Sequence, residues 1–172
     1  MAKKLQILIF PDPRLRKIAE KITKFDKSLQ NLADDMLLTM YDANGIGLAA
    51  TQVNRHVRLV VMDISDNRDD PRIFVNPSYR VLKDHNLFEF EEGCLSIPGF
   101  NETIARPDKI ELIWQDISGK EHSDSPEGLL TVFIQHEIDH LDGKLMVDYV
   151  SALKRDRVRS KLLKEYLSLI HI

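Results

Sequence analysis

Residues 125–143 read SPEGLLTVFIQHEIDHLDG, and the fold of the chain is most clearly predicted from this segment. Its apolar residues recur on almost every side of a helix, so the helix that they predict has no polar face to turn towards water. Proline is favoured at the first helical position and glycine just after the last. We therefore expect a helix that begins near Ser125 and Pro126, ends at Gly143 and lies in the centre of a domain.

The segments before this helix alternate as β-strands do, and two further helices flank them. A helix with Asp26 as its N-cap is predicted to end near Asn44 and Gly45, and a charged helix covers residues 152–169. The pattern indicates an α+β fold in which mostly antiparallel β-sheets wrap around the central helix, with a helix at the C-terminus. The length suits a single domain, residues 1–172. Strands are predicted at residues 58–64, 73–75, 79–82, 87–90 and 109–115, with a turn at Gly119.

Composition excludes several classes of protein. A net charge of −3 with 30% charged residues argues against direct DNA binding. The segment 151–172 is an exception, because residues 151–166 carry six basic side chains against two acidic ones. No stretch approaches the ~20 apolar residues that cross a bilayer. Without a signal peptide or a membrane span, the chain is expected in the cytoplasm.

Within the central helix, residues 136–140 form an H-E-x-x-H motif. Two histidines four residues apart lie on one side of a helix, so His136 and His140 can bind the same metal ion. Glu137 between them can take a proton from a metal-bound water. Burying this polar cluster without partners costs several kcal/mol, which favours a metal site over a chance match.

A catalytic zinc-type site uses three protein ligands, and the third must come from elsewhere. A metzincin protease would place a histidine where this chain has Met146, and a thermolysin-like protease would use a downstream glutamate, here Glu165 on the basic helix. Cys94 is the better candidate, because it follows a predicted strand, Gly93 lets the backbone turn, and a thiolate binds Fe²⁺ or Zn²⁺ well.

A third constellation lies at residues 45–52, GIGLAATQ. A glycine pair is weak evidence by itself and most often marks a turn. Small residues in succession do allow the backbone of a ligand to approach this segment closely. Gln52 supplies an amide donor that can face a developing oxyanion.

Together the three segments resemble the peptide deformylase family. That family has G-φ-G-φ-A-A-x-Q, E-G-C-L-S and Q-H-E-x-D-H motifs in this order, and they match residues 45–52, 92–96 and 135–140. The resemblance extends from residues 11–15 to Asp148. It implies a hydrolase that removes the formyl group from the N-terminal formyl-methionine of newly made polypeptides and releases formate.

The resemblance also implies the roles of the site residues. Cys94, His136 and His140 would hold the ion, natively Fe²⁺, with Zn²⁺ or Ni²⁺ able to replace it. The backbone N–H of Leu95 and the side-chain amide of Gln52 would stabilise the oxyanion. Glu137 would pass the proton of the attacking water to the leaving amine.

Substrate binding is predicted in two places. The backbone of Gly45, Ile46 and Gly47 is expected to pair with the peptide like an added strand. Leu129, Val132 and Phe133 precede His136 on the metal-facing side of the helix and are expected to form an apolar pocket for the methionine side chain, with plain core packing as the alternative. Phe133 stands where the family commonly has a smaller residue, as Thr51 stands where it often has proline.

Two other functions remain open at this point. A metallopeptidase would cut unformylated peptides and would need Glu165 or another residue as its third ligand. A catalytically idle relative would keep the fold to bind metal or ribosome, although Glu137 and Gln52 are not needed for that. The basic helix is expected to dock on the ribosome, where formylated chains emerge. The alternative is that its basic residues only form a solvated helix face.

Overall fold

The structure is a computed structural model, and it describes residues 1–170. Helix α1 spans Lys27–Asp42, α2 spans Leu129–Leu141 and α3 spans Ala152–Ile170. Short 3-10 turns lie at Pro13–Arg16, Ala50–Val53 and Met146–Tyr149. The strands are β1 Gly47–Ala49, β2 Leu59–Met62, β3 Arg72–Val81, β4 Leu87–Gly93, β5 Asn101–Pro107, β6 Ile110–Gln115 and β7 Glu121–Asp124.

The strands form two antiparallel sheets. Five of them pair in the order β1-β2-β3-β6-β7, and β4 pairs with β5 in a separate two-stranded sheet. Helices and antiparallel sheets in one chain confirm the predicted α+β fold. In the larger sheet, β1 is an edge strand, so one side of it is open to a further strand.

The five-stranded sheet has a helix on each face. Side chains alternate across β2: Val60 and Met62 pack with Ile134 of α2, whereas Leu59 and Val61 pack with Met36 of α1. This is why all four residues of β2 are buried. A third core cluster joins Ile97 and Ile104 to Leu162 of α3. The apolar α2 is therefore central, as its sequence predicts, and eleven of its residues are buried.

The start of α2 differs from the prediction. The helix begins at Leu129, not near Ser125 and Pro126. Gly128 precedes it with φ 65° and ψ −141°, a backbone conformation that stops the helix from extending backwards. The Thr131 hydroxyl donates to the carbonyl of Pro126 at 2.7 Å and occupies that carbonyl.

The prediction of separate strands at residues 73–75 and 79–82 was also wrong. They are parts of one strand, β3, whose register with β6 shifts between Val75 and Ser78. Asn76 has φ 51° at this bulge, and its side chain donates to Gln115 and bonds to both backbone groups of Ile22. A bulge accommodates Pro77 inside a strand, where it would otherwise interrupt the ladder.

Strands β1, β5 and β7 were not predicted, although the turn at Gly119 before β7 was, and the remaining bounds differ only at the ends of elements. Strand β4 continues to Gly93, so Cys94 follows it directly. Helix α3 extends the predicted segment by one residue, and the last two residues of the predicted 151–172 segment lie outside the described part of the chain. Between residues 1 and 170, no helix is long and apolar enough to cross a membrane.

Candidate active site

A cleft of about 370 Å³ lies between the start of β1 and the end of β4, with α2 as its floor. It gathers all three segments that the sequence singled out. The residues that line it are Asn44, Gly45, Ile46, Gly47, Gln52, Phe90, Glu91, Glu92, Gly93, Cys94, Leu95, Phe133, His136 and Glu137.

Three candidate metal ligands meet beside this cleft. One donor atom from each of Cys94, His136 and His140 lies within 4.8 Å of the other two, and Cys94 Sγ is 3.3 Å from His140 Nε2. No other group of three or more Cys, His, Asp or Glu side chains within residues 1–170 is arranged to hold an ion. The two alternative ligands lie elsewhere: Met146 is buried in the third core cluster, and Glu165 is exposed on α3.

A buried ion-pair network supports His136 from behind. Glu92 accepts a hydrogen bond from His136 Nδ1 at 2.9 Å, which directs Nε2 towards the cleft. Arg106 donates to both carboxylate oxygens of Glu92, at 2.6 and 2.9 Å, and to Asp139 at 3.0 Å. The hydroxyl of Tyr149 donates to the same Asp139. A carboxylate that orients a ligating imidazole in this way is a usual feature of metal sites.

The electrostatic surroundings of the two imidazoles differ. Burial opposes the charged form of His136, but its hydrogen bonds with Cys94 and Glu92 outweigh burial and raise its pKa to about 10. Burial, with the positive charges of His136 and Arg106, holds the pKa of His140 well below its usual value. Burial also opposes ionisation of Glu92, yet His136 and Arg106 lower its pKa. Cys94 and Glu92 thus favour a positive charge on His136, whereas burial and the neighbouring cations disfavour one on His140.

The carboxylate of Glu137 lies against β1. A Cβ atom built on Gly47 would be 3.2 Å from Glu137 Oε1, so glycine is what leaves room for this carboxylate. Burial raises the pKa of Glu137 to about 7. Its Oε2 atom is buried and has no hydrogen-bond partner among residues 1–170. A buried acid with a pKa near neutrality and a free oxygen beside the cleft suits a general base.

Gln52 and Leu95 also line the cleft and carry hydrogen-bond donors. Gln52 Oε1 accepts from the backbone N–H of Ala49 at 2.9 Å, which fixes the orientation of the amide. Its Nε2 donates to Ser96 Oγ at 3.0 Å and lies 3.6 Å from Cys94 Sγ. The backbone N–H of Leu95 donates to no group within residues 1–170.

Comparison with known proteins decides the family. The family model described as polypeptide deformylase matches residues 4–156. The chain belongs to this family. Peptide deformylase of Saccharophagus degradans is 54% identical over 162 residues, 94% of each chain, and that of Pseudomonas aeruginosa is 53% identical over 94% of this chain and 96% of its own.

Solved structures agree. The crystal structure of a peptide deformylase from Legionella pneumophila superposes with a TM-score of 0.89 at 46% identity and covers 98% of this chain and 99% of its own. That of peptide deformylase from Ehrlichia chaffeensis in complex with actinonin gives 0.89 at 36% identity, over 95% of this chain and 98% of its own.

The family is metal-dependent, and its function is deformylation of N-terminal formyl-methionine, so the chain is an enzyme and a hydrolase. The prediction of a peptide deformylase is confirmed. The alternative hypotheses of a metallopeptidase and of a catalytically idle relative are therefore wrong.

The residues predicted to bind substrate are only partly brought together. Gly45, Ile46, Gly47 and Phe133 line the cleft. Val132 is buried and Leu129 is exposed, and neither lines the cleft, so their place in the methionine pocket stays a prediction. Phe133 also packs edge-to-face on Phe90, another residue that lines the cleft, with ring centroids 5.5 Å apart.

Sequence reasoning missed the supporting residues. Arg106 and Tyr149 were not singled out, and Glu92 and Ser96 were quoted only as parts of a motif. Buried acids at Glu92 and Asp139 do signal that a cation must lie near them, because a buried charge needs a partner. The spacing along the chain does not identify Arg106 as that cation.

Proposed function

We propose that Cys94, His136 and His140 bind the catalytic divalent ion of this deformylase. The main support for this assignment is that one thiol and two imidazoles converge beside the buried carboxylate of Glu137. Three protein donors leave a coordination position open, as catalytic sites do. An ion bound there would act as a Lewis acid and lower the pKa of a water from ~15.7 towards ~7.

Glu137 is the proposed general base. It takes a proton from the attacking water and delivers it to the amine of the departing methionine. Its raised pKa serves both steps, because a group with a pKa near the working pH can accept and return a proton. Gln52 and Leu95 are the proposed oxyanion donors: beyond its bond to Ser96, Gln52 Nε2 makes only a long 3.6 Å hydrogen bond to Cys94 Sγ, and Leu95 N–H is unpaired within residues 1–170.

The proposed substrate is a formyl-methionyl peptide that adds a strand to β1. This strand lies at the sheet edge, and residues 45–47 border the cleft. The carbonyl of Ile46 already accepts from Asp63 N at 2.8 Å, on the side away from the cleft. Because successive residues of a strand point their backbone groups to opposite sides, Gly47 presents its own to the substrate.

The first experiment is formate release from N-formyl-Met-Ala-Ser by anaerobically purified, iron-loaded enzyme. We expect formate from this peptide, no cleavage of the unformylated peptide, and loss of both formate and bound iron in Cys94→Ala. Exposed Glu165→Ala is the matched control, because it removes the alternative ligand, and it should keep both. Activity and iron lost in the control but kept in Cys94→Ala would refute the ligand assignment.

We propose Fe²⁺ as the native ion, with Zn²⁺ or Ni²⁺ able to substitute. Thiolate and imidazole donors suit all three, so the donor set supports this range of metals. Fe²⁺ beside a thiolate is sensitive to oxygen. We expect iron-loaded enzyme to lose activity in air with loss of iron, and nickel-loaded enzyme to keep it; equal sensitivity of both would contradict this assignment.

We further propose that residues 1–172 form one catalytic domain that works in the cytoplasm and docks on the ribosome through segment 151–172. On α3, Lys154 pairs with Glu102 and Arg155 lies near Asp148. The other basic side chains of this helix are exposed and form no ion pair within residues 1–170: Arg157, Arg159, Lys161 and Lys164. They supply the charge for a contact with ribosomal phosphates.

Cosedimentation with ribosomes tests this contact. Arg157 and Lys161 lie one turn apart on α3, so Arg157→Glu combined with Lys161→Glu should abolish cosedimentation at low salt. Lys83→Glu combined with Lys109→Glu makes the same charge change on other exposed residues and should preserve it. Equal loss in both double variants would indicate a non-specific effect of net charge.

A further inference from the structure

The loop between β2 and β3, residues 63–71, is tied to the substrate-binding segment 45–47. Asp63 at its start is fully buried, and its carboxylate accepts from Ser65, from the backbone of Asp70 and from the hydroxyl of Tyr41 on α1. Burial opposes ionisation of Asp63, but these hydrogen bonds outweigh it and lower its pKa to about 2. The loop is therefore anchored by a charged acceptor that stays ionised at neutral pH.

Arg68 lies at the middle of this loop, and its side chain faces back towards segment 45–47. Its Nη2 donates to the carbonyl oxygen of Gly45 at 2.6 Å, and its guanidinium lies over the ring of Tyr41, 5.1 Å from the centroid. Its φ of 58° is uncommon for a residue other than glycine. Two contacts of different kinds, on α1 and on segment 45–47, fix this side chain.

Segment 45–47 is consequently held at two successive carbonyls. Gly45 O accepts from Arg68, and Ile46 O accepts from Asp63 N. Gly45 itself lies against Leu95, since a Cβ atom on it would come 2.6 Å from Leu95 Cδ1. The position of these peptide units therefore sets where a substrate strand can pair and how close it comes to the proposed oxyanion donor.

We infer that Arg68 is a positioning residue for substrate binding, which holds the Gly45 peptide unit so that the edge of β1 is preformed for the formyl-peptide. The inference rests on the strand-addition mode proposed above. Arg68 does not line the cleft and is not a metal ligand, so it acts through segment 45–47. Its loss costs binding of the peptide more than chemistry, because α2 holds Glu137 and His136 independently.

The test compares Arg68→Ala, Arg68→Lys and Arg72→Ala in the iron-loaded enzyme. Arg72 is the matched control, because its guanidinium also lies over an aromatic ring, that of Phe74 at 5.3 Å, but it makes no hydrogen bond to residues 44–47. We expect Arg68→Ala to raise KM for N-formyl-Met-Ala-Ser about tenfold, with kcat changed less than about threefold. Arg68→Lys should recover part of the loss, and Arg72→Ala should match the wild type.

Hydrogen exchange gives a readout that does not depend on turnover. Amides of residues 45–49 should exchange faster in Arg68→Ala than in the wild type and in Arg72→Ala. Unchanged exchange and KM in Arg68→Ala would overturn the inference, even if the wild type releases formate. Absence of formate from the wild type would instead refute the proposed site assignments, and the exchange data would still decide whether Arg68 holds this segment.

Discussion

Glu92 Oε1 lies 2.9 Å from His136 Nδ1, and the same carboxylate receives two hydrogen bonds from Arg106. One buried acid therefore joins the candidate metal site to an ion-pair network that extends to Asp139 and Tyr149. The orientation of a proposed ligand and the stability of the fold depend on the same group. The first two predictions separate these two effects.

Glu92→Gln should weaken metal binding. The amide can still accept a hydrogen bond from His136, but it lacks the charge that stabilises a positive partner, and loss of such a partner typically costs 10–100-fold in metal affinity. Competition with a chelator measures the metal dissociation constant. Glu89→Gln makes the same change at an exposed residue of β4 that does not line the cleft, and it should leave the dissociation constant unchanged; an equal dissociation constant in both variants would refute the role of Glu92.

Arg106→Ala should destabilise the fold. The Arg106 and Glu92 side chains are only 3% and 1% exposed, so the variant leaves buried carboxylates without a partner, at a cost of about 3–5 kcal/mol in the free energy of unfolding. Arg80→Ala is the control, because Arg80 also makes two hydrogen bonds to one glutamate, Glu111, but is 68% exposed. It should lose less than about 1 kcal/mol in urea unfolding. Equal losses would show that burial does not decide the outcome.

Glu137→Gln should abolish turnover and leave the metal content intact. Loss of a general base costs about 10²–10⁴-fold in rate. In the wild type, kcat/KM should fall as pH decreases through the pKa of Glu137, with a midpoint at or below 7, because a nearby cation would lower the value of about 7. Metal analysis and a pH profile check this. Loss of the ion in Glu137→Gln would contradict the assignment.

Glu137→Gln should also stabilise the chelator-treated protein at high pH. The pKa of Glu137 is raised in the fold from 4.5 to about 7, so its stabilising effect is present below pH 4.5 and is lost as pH rises to 7. At pH 8 the buried ionised group costs about 3 kcal/mol, and glutamine removes this cost. The gain in Tm of Glu137→Gln over the wild type should grow between pH 5 and pH 8. Exposed Glu165→Gln should show no such growth.

Gly47→Ala should reduce kcat without loss of metal. The added methyl group would lie 3.2 Å from the Glu137 carboxylate, so the carboxylate must shift by a few tenths of an ångström, and a misplaced reacting group lowers the rate of the chemical step. Steady-state kinetics measure kcat, and metal analysis measures the bound ion. A kcat equal to that of the wild type, with Gly47→Ala folded, would show that Glu137 has room to move.

Much of the site was predictable because its signals are local. His136 and His140 share a helix face through their spacing alone, and the apolar surroundings of α2 require it to be buried. Asp26 was correctly predicted as an N-cap, since its side chain accepts from Leu29 N. The start of α2 was wrong because the backbone of Gly128 overrides the proline signal, and β3 was divided because a bulge made its proline acceptable.

The residue types of the site and their order along the chain are read directly from the sequence, their roles were implied by the family resemblance, and the apolar periodicity of residues 129–141 predicts the central place of α2. Which distant groups meet depends on the tertiary structure. Cys94 approaches His140 across 46 residues, Arg106 reaches Asp139 across 33, and Arg68 reaches Gly45 across 23. Such contacts depend on strand pairing and on packing against two faces of one sheet, and no local pattern encodes their geometry.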